Sequence, residues 1–304
     1  MSQAPRPITA VVGPTAAGKT AWAIKRAEAA GGEIISIDSR QIYRGFVIGT
    51  GQPSEAEQGR VRHHLINLLD PAEIITAGRY VTLVQQALAD IVGRGKEPIL
   101  CGGSGLYLRA LRLGLSGSAE ADPELRQRVR AQIEAEGAEA AWARLAEADP
   151  DTAAGIDPRN LQRLSRALEI LAATGRPPSD TRQWPSDGAA RPVNIEGVGE
   201  VTFELVGLEW PREALYRRID ARVEAMLDAD WLAEVEGLLA SGVSADAQPM
   251  QGVGYRELTA VVRGSLALEE ALPQIQQRTR NFARRQITWF KKEPVQWRAG
   301  RDEG

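Results

Sequence analysis

One cysteine and two adjacent histidines, His63 and His64, are the only thiol and imidazole side chains in 304 residues. A single cysteine excludes an intrachain disulfide. One cysteine with two histidines also falls short of the four ligands of a structural zinc site. No apolar run approaches the ~20 residues that cross a bilayer. Met1 to Pro7 lead straight into a strand-like run, without the regions of a signal peptide, so a reducing cytoplasm is the expected compartment. A basic excess is missing too. The formal net charge is −3, which argues against non-specific coating of nucleic acid but leaves room for a local basic groove. What remains is ordinary for a globular chain, 43% hydrophobic and 25% charged. Its length fits about two domains and a large core.

The first part alternates strands and helices. Ile8 to Val12 is a short β-branched run that leads into a glycine-rich turn, and Ala21 to Ala30 then reads as a helix ended by Gly31-Gly32. Glu33 to Ile37 is a second strand. Tyr80 to Val92 carries Val81, Val84, Leu88, Ile91 and Val92 at helical spacing. Pro98 to Cys101 is a third strand, broken by Gly102-Gly103-Ser104-Gly105, with a helix expected from Leu106. This alternation predicts an α/β class, a parallel sheet covered by helices. From Asp122 to about Thr174 only helical periodicity is visible, starting at the N-cap pattern Asp122-Pro123-Glu124. Ser179 to Gly199 is polar and rich in proline and glycine, so it reads as a loop or linker. A strand returns at Val201 to Leu208, and from Arg212 onward the chain reads as helical. The expected organisation is a discontinuous α/β core of residues 1–116 and 196–304, interrupted by a helical insertion of residues 117–195.

Gly13-Pro14-Thr15-Ala16-Ala17-Gly18-Lys19-Thr20 matches the phosphate-loop pattern G-x-x-x-x-G-K-[ST] between a strand and a helix. Backbone N–H groups cradle phosphate oxygens there, and the helix N-terminus adds partial positive charge. Lys19 brings a full charge, and the Thr20 hydroxyl suits Mg2+. The motif names a phosphate ligand, not a reaction. A GTPase reading lacks its Asn-Lys-x-Asp base reader, since no asparagine here precedes a lysine.

Asp38, just after the second strand, falls where open parallel sheets bind ligands. It suits a general base or a water-mediated metal contact, and equally a helix N-cap. Ser104, on the glycine turn after the third strand, could reach a phosphate or a base edge, or simply belong to a strand-to-helix turn. His63 and His64 point to opposite sides of an extended segment, which favours a structural role over a shared metal. Basic residues cluster at Arg126, Arg128 and Arg130, at Arg159, Arg163 and Arg166, and at Arg278, Arg280, Arg284, Arg285, Lys291 and Lys292. Phe282, Trp289 and Phe290 are interleaved with the last group. Arginines with aromatics suit nucleic acid through phosphate charge and base stacking, although most charged helix faces are merely solvated.

Several motifs occur together and in order. They are Gly13 to Thr20, Asp38-Ser39-x-Gln41-x-Tyr43, Ile48-Gly49-Thr50-Gly51, His63-His64-Leu65-Ile66, Gly102 to Tyr107, Gly252-Val253-Gly254-Tyr255-Arg256-Glu257 and Arg285-Gln286-Ile287-Thr288-Trp289-Phe290. Over nearly the whole chain this set resembles the tRNA dimethylallyltransferase (tRNA isopentenylpyrophosphate transferase) family. The resemblance implies a P-loop α/β core with a helical insertion. It implies transfer of a dimethylallyl group from its diphosphate to the exocyclic amine of the adenine 3′ of the anticodon. It also implies a cytoplasmic, monomeric enzyme whose partners are the tRNA anticodon stem-loop and dimethylallyl diphosphate, with Mg2+ as cofactor. By the same resemblance Gly13 to Thr20 hold the diphosphate, Asp38 is the catalytic aspartate, and Ser104 stands in the place of a threonine. Arg218 contacts the diphosphate, and Ser39, Arg40 and Gln41 help hold a flipped-out adenine. Arg126, Gln162, Arg163, Leu164, Ser165, Arg166, Gly254, Tyr255 and Arg256 fall at tRNA contacts. Three positions depart from the family pattern: Gln52 for lysine, Arg62 for proline and Asn67 for aspartate. Two rival readings share these features. One is a different enzyme on the scaffold, either a small-molecule kinase or an isopentenyltransferase acting on free adenine nucleotide. The other is a non-catalytic, nucleotide-gated tRNA-binding protein.

Overall fold

β2 (Glu33–Ile37) is buried along its whole length and β1 (Arg6–Val12) from Ala10 to Val12, as expected of parallel strands covered on both faces. The computed structural model describes residues 4–114, 122–181 and 191–300. The chain divides into two units, Met1–Arg112 with Gly188–Gly304, and Leu113–Asp187.

The first unit is built on one sheet. Among the described residues it comprises β1, β2, β3 (His63–His64), β4 (Pro98–Gly102), β5 (Val193–Ile195), β6 (Gly199–Glu209) and β7 (Val295–Ala299), in the order β3-β2-β4-β1-β6-β5, with β7 also paired to β6. Every pairing is parallel except β5 with β6. The register places Val11 beside Cys101 and Ile37 beside Gly102. The carboxyl ends of β2, β4 and β1 therefore stand side by side. Helices α1 (Lys19–Ala30), α2 (Glu55–Arg60), α3 (Ala77–Gly93) and α4 (Gly105–Leu113) belong to the first half of this unit. α1 buries Ala23, Ile24 and Ala27 in a cluster with Val11, Ile34, Ile99 and Leu208. Small side chains let the helix sit close to the sheet. α3 buries Tyr80, Val84, Ala87, Leu88 and Ile91. The stripe is thus rotated from the expected one, and Val81 is only partly buried, because stacking of Tyr80 on Tyr107 at 4.3 Å sets the contact face.

The second unit is helical: α5 (Pro123–Glu136), α6 (Ala138–Ala148), α7 (Pro150–Ala154), α8 (Leu161–Thr174) and α9 (Pro178–Thr181). Asp122, Asp149 and Asn160 cap three of these helices through their side chains, each satisfying an otherwise unpaired amide. Its core gathers Val129, Ile133, Leu145, Ile156, Leu164 and Leu168.

Returning to the first unit, α10 (Arg212–Asp228), α11 (Trp231–Ala240), α12 (Tyr255–Val262) and α13 (Leu268–Phe290) follow β6. Two expectations change. Ser179 to Gly199, read as a loop, contains β5, and the C-terminal part, read as helical, ends in β7. Both strands are short and draw their pairing from the neighbouring β6, so local periodicity does not reveal them. Residues 182–190, within that linker, and 117–121, at the start of the insertion, lie outside the described residues.

Candidate active site at the carboxyl ends of β1, β2 and β4

The phosphate loop follows β1 directly. Gly18 caps α1 with φ 89°, offers no side-chain cap, and leaves the first-turn amides to an anion. Ala16 takes φ 61°, an uncommon non-glycine conformation held from outside the loop. The Arg218 Nε donates to the Ala16 carbonyl at 2.9 Å, and the Trp210 indole donates to the Ala17 carbonyl at 3.1 Å. The Arg218 guanidinium lies 4.3 Å over the Trp210 ring. The Thr15 amide donates to Gln286 Oε1 at 2.8 Å. Lys19 Nζ donates to the Pro14 carbonyl at 2.7 Å. Burial pulls the Lys19 ammonium down to about 8, with Cys101 and Asp38 opposing and Arg222 adding to the fall.

Asp38 leaves the end of β2 and starts a turn, not a helix. Its Oδ1 accepts from the Arg40 amide at 2.8 Å and the Gln41 amide at 3.3 Å. Both turn bonds fall on one oxygen, Oδ1. The helix N-cap reading of Asp38 is corrected: its side chain closes a turn, and no helix starts there. Ser104 sits across from it. Its Oγ accepts from the Ser39 amide at 3.2 Å, and its own amide donates to the Ile37 carbonyl at 3.2 Å. Ser104 thus ties the β4 turn to the Asp38 turn.

Two side chains expected to meet an adenine already have protein partners. Gln41 accepts from Ser36 Oγ at 2.8 Å and donates to the Thr50 and Gly51 carbonyls. Arg40 donates to the Gln248 carbonyl. Ser39 to Gln41 can still shape the site by their backbone.

Arg222, which the sequence reading passed over, joins the same cluster. It lies four residues after Arg218 on α10, hence on the same face, and that spacing was the available signal. Burial lowers its guanidinium, while Asp38 opposes and Arg218 adds to the fall. Glu57 opposes the fall as well, so Lys19 and Arg222 share the field of Asp38, with Arg218 beside Arg222 and Glu57 as a second carboxylate, and three cations face two carboxylates there. Gln286 belongs to the Arg285–Phe290 motif, which by itself assigned it no role. Its Nε2 donates to the Gly103 carbonyl at 3.1 Å, so its amide bridges the phosphate loop and the β4 turn.

The donor set bears on a cation. Among the described residues no group of three His, Cys, Asp or Glu could hold a metal. Mg2+, however, takes few protein ligands beside phosphate oxygens and water. Thr20, in the first turn of α1, and Asp38 fit that pattern. His64 is engaged elsewhere, with Nε2 2.6 Å from Glu33 Oε2.

The expected tRNA contacts divide by exposure. In the second unit Gln162 and Arg163 are exposed. Leu164 and Ser165 are buried, Leu164 in the core and Ser165 bonded to Glu169 at 3.0 Å. Their side chains are not contact surface, because α8 turns that face inward. Arg126 and Arg166 flank Glu169, at 3.6 and 3.2 Å. In the first unit Tyr255 is 1% exposed and its hydroxyl donates to Glu234, so its side chain lies in the core. Gly254 precedes α12, its amide donating to Glu257 at 2.6 Å. Arg256 lines a cleft of about 330 Å3 with Arg278, Arg285, Gln251 and Asn281. Part of that basic cluster is neutralised, since Arg278 pairs with Glu257 and Arg280 with Asp220. A window without acids in sequence meets acids from α10 and α12 in space.

The three departures from the family pattern lie off the phosphate loop. Gln52 is buried and donates to the Gln41 and Phe46 carbonyls, bonds an ammonium could also make. Asn67 accepts from the Gly45 amide at 3.2 Å, as an aspartate would. Arg62 is exposed.

A sequence model of the family described as IPP transferase matches residues 41–293. The chain belongs to the IPP transferase family. Known relatives agree with this. It is 43% identical to tRNA dimethylallyltransferase 1 of Trichlorobacter lovleyi over 293 residues, 95% of this chain and 92% of the relative. It is 44% identical to tRNA dimethylallyltransferase of Sorangium cellulosum, over 96% of this chain and 90% of the relative. Among solved structures it is similar to the tRNA isopentenylpyrophosphate transferase of Bacillus halodurans, with TM-score 0.69 and 34% identity over 99% of this chain and 92% of that one. A eukaryotic dimethylallyltransferase described as acting on tRNA superposes with TM-score 0.79 at 25% identity, covering 98% of this chain and 74% of that one. The IPP transferase assignment agrees with the α/β core and accounts for the phosphate loop without a nucleotide-base reader. Among the described residues no helix is long and apolar enough to cross a membrane.

Proposed function

We propose that this IPP transferase moves a dimethylallyl group from dimethylallyl diphosphate to the exocyclic amine of the tRNA adenine 3′ of the anticodon. The observation that carries the reading is the meeting of the phosphate loop with the Asp38 turn, linked through Ser104 and Gln286. An anion cradle and a carboxylate face one another there, as group transfer from a diphosphate requires.

The diphosphate lies in the Gly13–Thr20 amides, against Lys19, Arg218 and Arg222. The allylic C–O bond breaks and the diphosphate leaves with the bonding pair, its growing charge met by fixed cations. The adenine amine forms the new C–N bond. It is too weak an acid to ionise first, so its proton passes to Asp38 as that bond forms. Asp38 Oδ1 stays in the turn while Oδ2 accepts. Thr20, with Asp38 nearby, would hold Mg2+, which would supply further neutralisation of the leaving group when bound. The target base must leave its stack to reach these groups. Exposed Gln162 and Arg163 on one unit, and the Arg256–Arg278–Arg285 cleft on the other, favour a macromolecular acceptor over a free nucleotide.

Incubation with radiolabelled dimethylallyl diphosphate and either tRNA or AMP tests this. Label is expected in tRNA alone. Label in AMP would favour the free-nucleotide enzyme, and label in neither would favour the binding protein.

A further inference from the structure

Ile48-Gly49-Thr50-Gly51 makes none of the phosphate or proton contacts above, yet it touches Gln41, whose backbone amide bonds Asp38, and Arg222 of the cation cluster. The Thr50 and Gly51 carbonyls hold the Gln41 amide. Gly51 also abuts Arg222 so closely that an added Cβ would lie 1.8 Å from the guanidinium Nη2. The turn is therefore one wall of the cation cluster.

α11 holds that wall. Glu234 Oε2 accepts from the Val47 amide at 2.9 Å and the Ile48 amide at 2.6 Å. Its Oε1 accepts from the Gly49 amide at 3.3 Å and the Tyr255 hydroxyl at 2.6 Å. Three successive backbone amides and a buried phenol thus converge on one carboxylate. One turn earlier on α11, Trp231 is 2% exposed. A Cβ at either Gly49 or Gly254 would lie 1.9 Å from its indole. The helix is a wedge between two glycine turns, with Glu234 as its hydrogen-bonding tip.

We propose that Glu234 is a positioning residue: through the 47–49 amides it holds the Ile48–Gly51 turn in the shape that seats Arg222 beside Lys19 and Asp38, and so sets the diphosphate affinity of the site. This rests on the transferase reading only in taking Arg222 as a diphosphate contact. The requirement is for an acceptor of the right reach rather than for charge. Alanine leaves three amides without a partner. Aspartate, one methylene shorter, cannot meet all of them together with Tyr255. Glutamine can accept from Val47 and Ile48 and donate to the Tyr255 hydroxyl, which is itself able to accept. It gives up only the long Gly49 bond.

The test is calorimetric titration of inorganic diphosphate, without tRNA, into the full-length wild type, Glu234→Ala, Glu234→Asp, Glu234→Gln, Arg222→Ala and the Glu234→Ala/Arg222→Ala double variant. Loss of a charge-assisted contact corresponds to about tenfold or more in affinity. Arg222→Ala and Glu234→Ala should each weaken binding by about tenfold, and Glu234→Gln should stay within about threefold of wild type. The double variant should bind no more weakly than Arg222→Ala, because the two changes remove one interaction. Wild-type affinity in Glu234→Ala, or losses that multiply in the double variant, overturns the proposal. If Glu234→Ala does not fold, Glu234→Asp decides: wild-type affinity there overturns it as well. Transfer to tRNA by the wild type is assayed in parallel. Its absence with the expected order of affinities counts against the transferase reading alone. Its presence with an indifferent Glu234 counts against this inference alone.

Discussion

Thr15 and Gln286 are 271 positions apart in sequence and joined by a 2.8 Å hydrogen bond, from the Thr15 amide to Gln286 Oε1. The same glutamine, 6% exposed, reaches the Gly103 carbonyl. One side chain on α13 therefore fixes the spacing between the phosphate loop and the turn carrying Ser104. Gln286→Leu removes both bonds and leaves the buried Gly103 carbonyl and the half-buried Thr15 amide without that partner, at about 1–3 kcal/mol for the buried group. The variant should unfold at lower denaturant and bind diphosphate more weakly. Wild-type values in both measurements would sink the bridging role.

Lys19→Ala should abolish turnover, since a desolvated cation at the leaving group contributes several kcal/mol to the transition state. The pH dependence follows from its depression to about 8. Below pH 8 the free protein already carries the ammonium, so diphosphate affinity should be flat. Above pH 8 binding must take up a proton, and log affinity should fall with a limiting slope of about −1 per pH unit. Without ligand the unfolded chain binds more protons between pH 8 and the ordinary 10.5, so Lys19 makes stability rise with pH across that window. A titration series from pH 6 to 10 on wild type and Lys19→Ala checks the affinity limb, which the variant should lack.

Asp38→Asn separates base from turn. The amide oxygen keeps the acceptor for the Arg40 and Gln41 amides, so melting temperature should be nearly unchanged. The proton acceptor is lost, so kcat should fall by about 10² or more. Preserved kcat with collapsed tRNA affinity would make Asp38 a contact residue instead.

Glu33 stands at the opposite end of β2. Hydrogen bonding from Arg94, opposed by burial and reinforced by His64, pulls its carboxyl down to about 2. A depressed carboxyl contributes stability fully above its unfolded value near 4.5 and loses it as pH falls toward 2. Glu33→Gln should cost about 1.5–3 kcal/mol at pH 7 and converge with wild type near pH 2. Urea melts across that range check it, and parallel curves would refute the linkage. Prenyl transfer at neutral pH should persist, because the residue is remote from Asp38 along the strand.

The basic face of α8 has unequal members. Arg163 is exposed, whereas Arg166 is paired with Glu169. Each phosphate contact on a single-stranded loop contributes about 0.7 to the slope of log affinity against log salt. Arg163→Glu should therefore flatten the slope for tRNA more than Arg166→Glu, and the double change by about one to two units in all. Inorganic diphosphate should bind each variant as it binds wild type. Equal slopes in all variants would mean that the face is solvated only.

The phosphate loop, the strand–helix alternation of the first part and the helical character of the middle were legible in the sequence because each is local. A glycine turn between a β-branched run and an alanine-rich helix, or a cap followed by helical spacing, is written within a few neighbouring residues. The ends of Asp38 and Ser104 were legible as well, since both close a strand. What tertiary structure alone decided is which distant groups complete the site. Parallel pairing of β2 with β4 and β4 with β1 brings three strand ends together across about ninety residues of sequence. Only that adjacency shows Gln286 as a bridge, Arg222 as a third cation and Gln41 as a strut. It also decided which neighbours in sequence part company. Within Gln162–Arg166 and Gly254–Arg256, helix rotation turns Leu164, Ser165 and Tyr255 inward beside exposed polar residues. Burial depends on what a helix packs against, and that partner is not encoded in the helix itself.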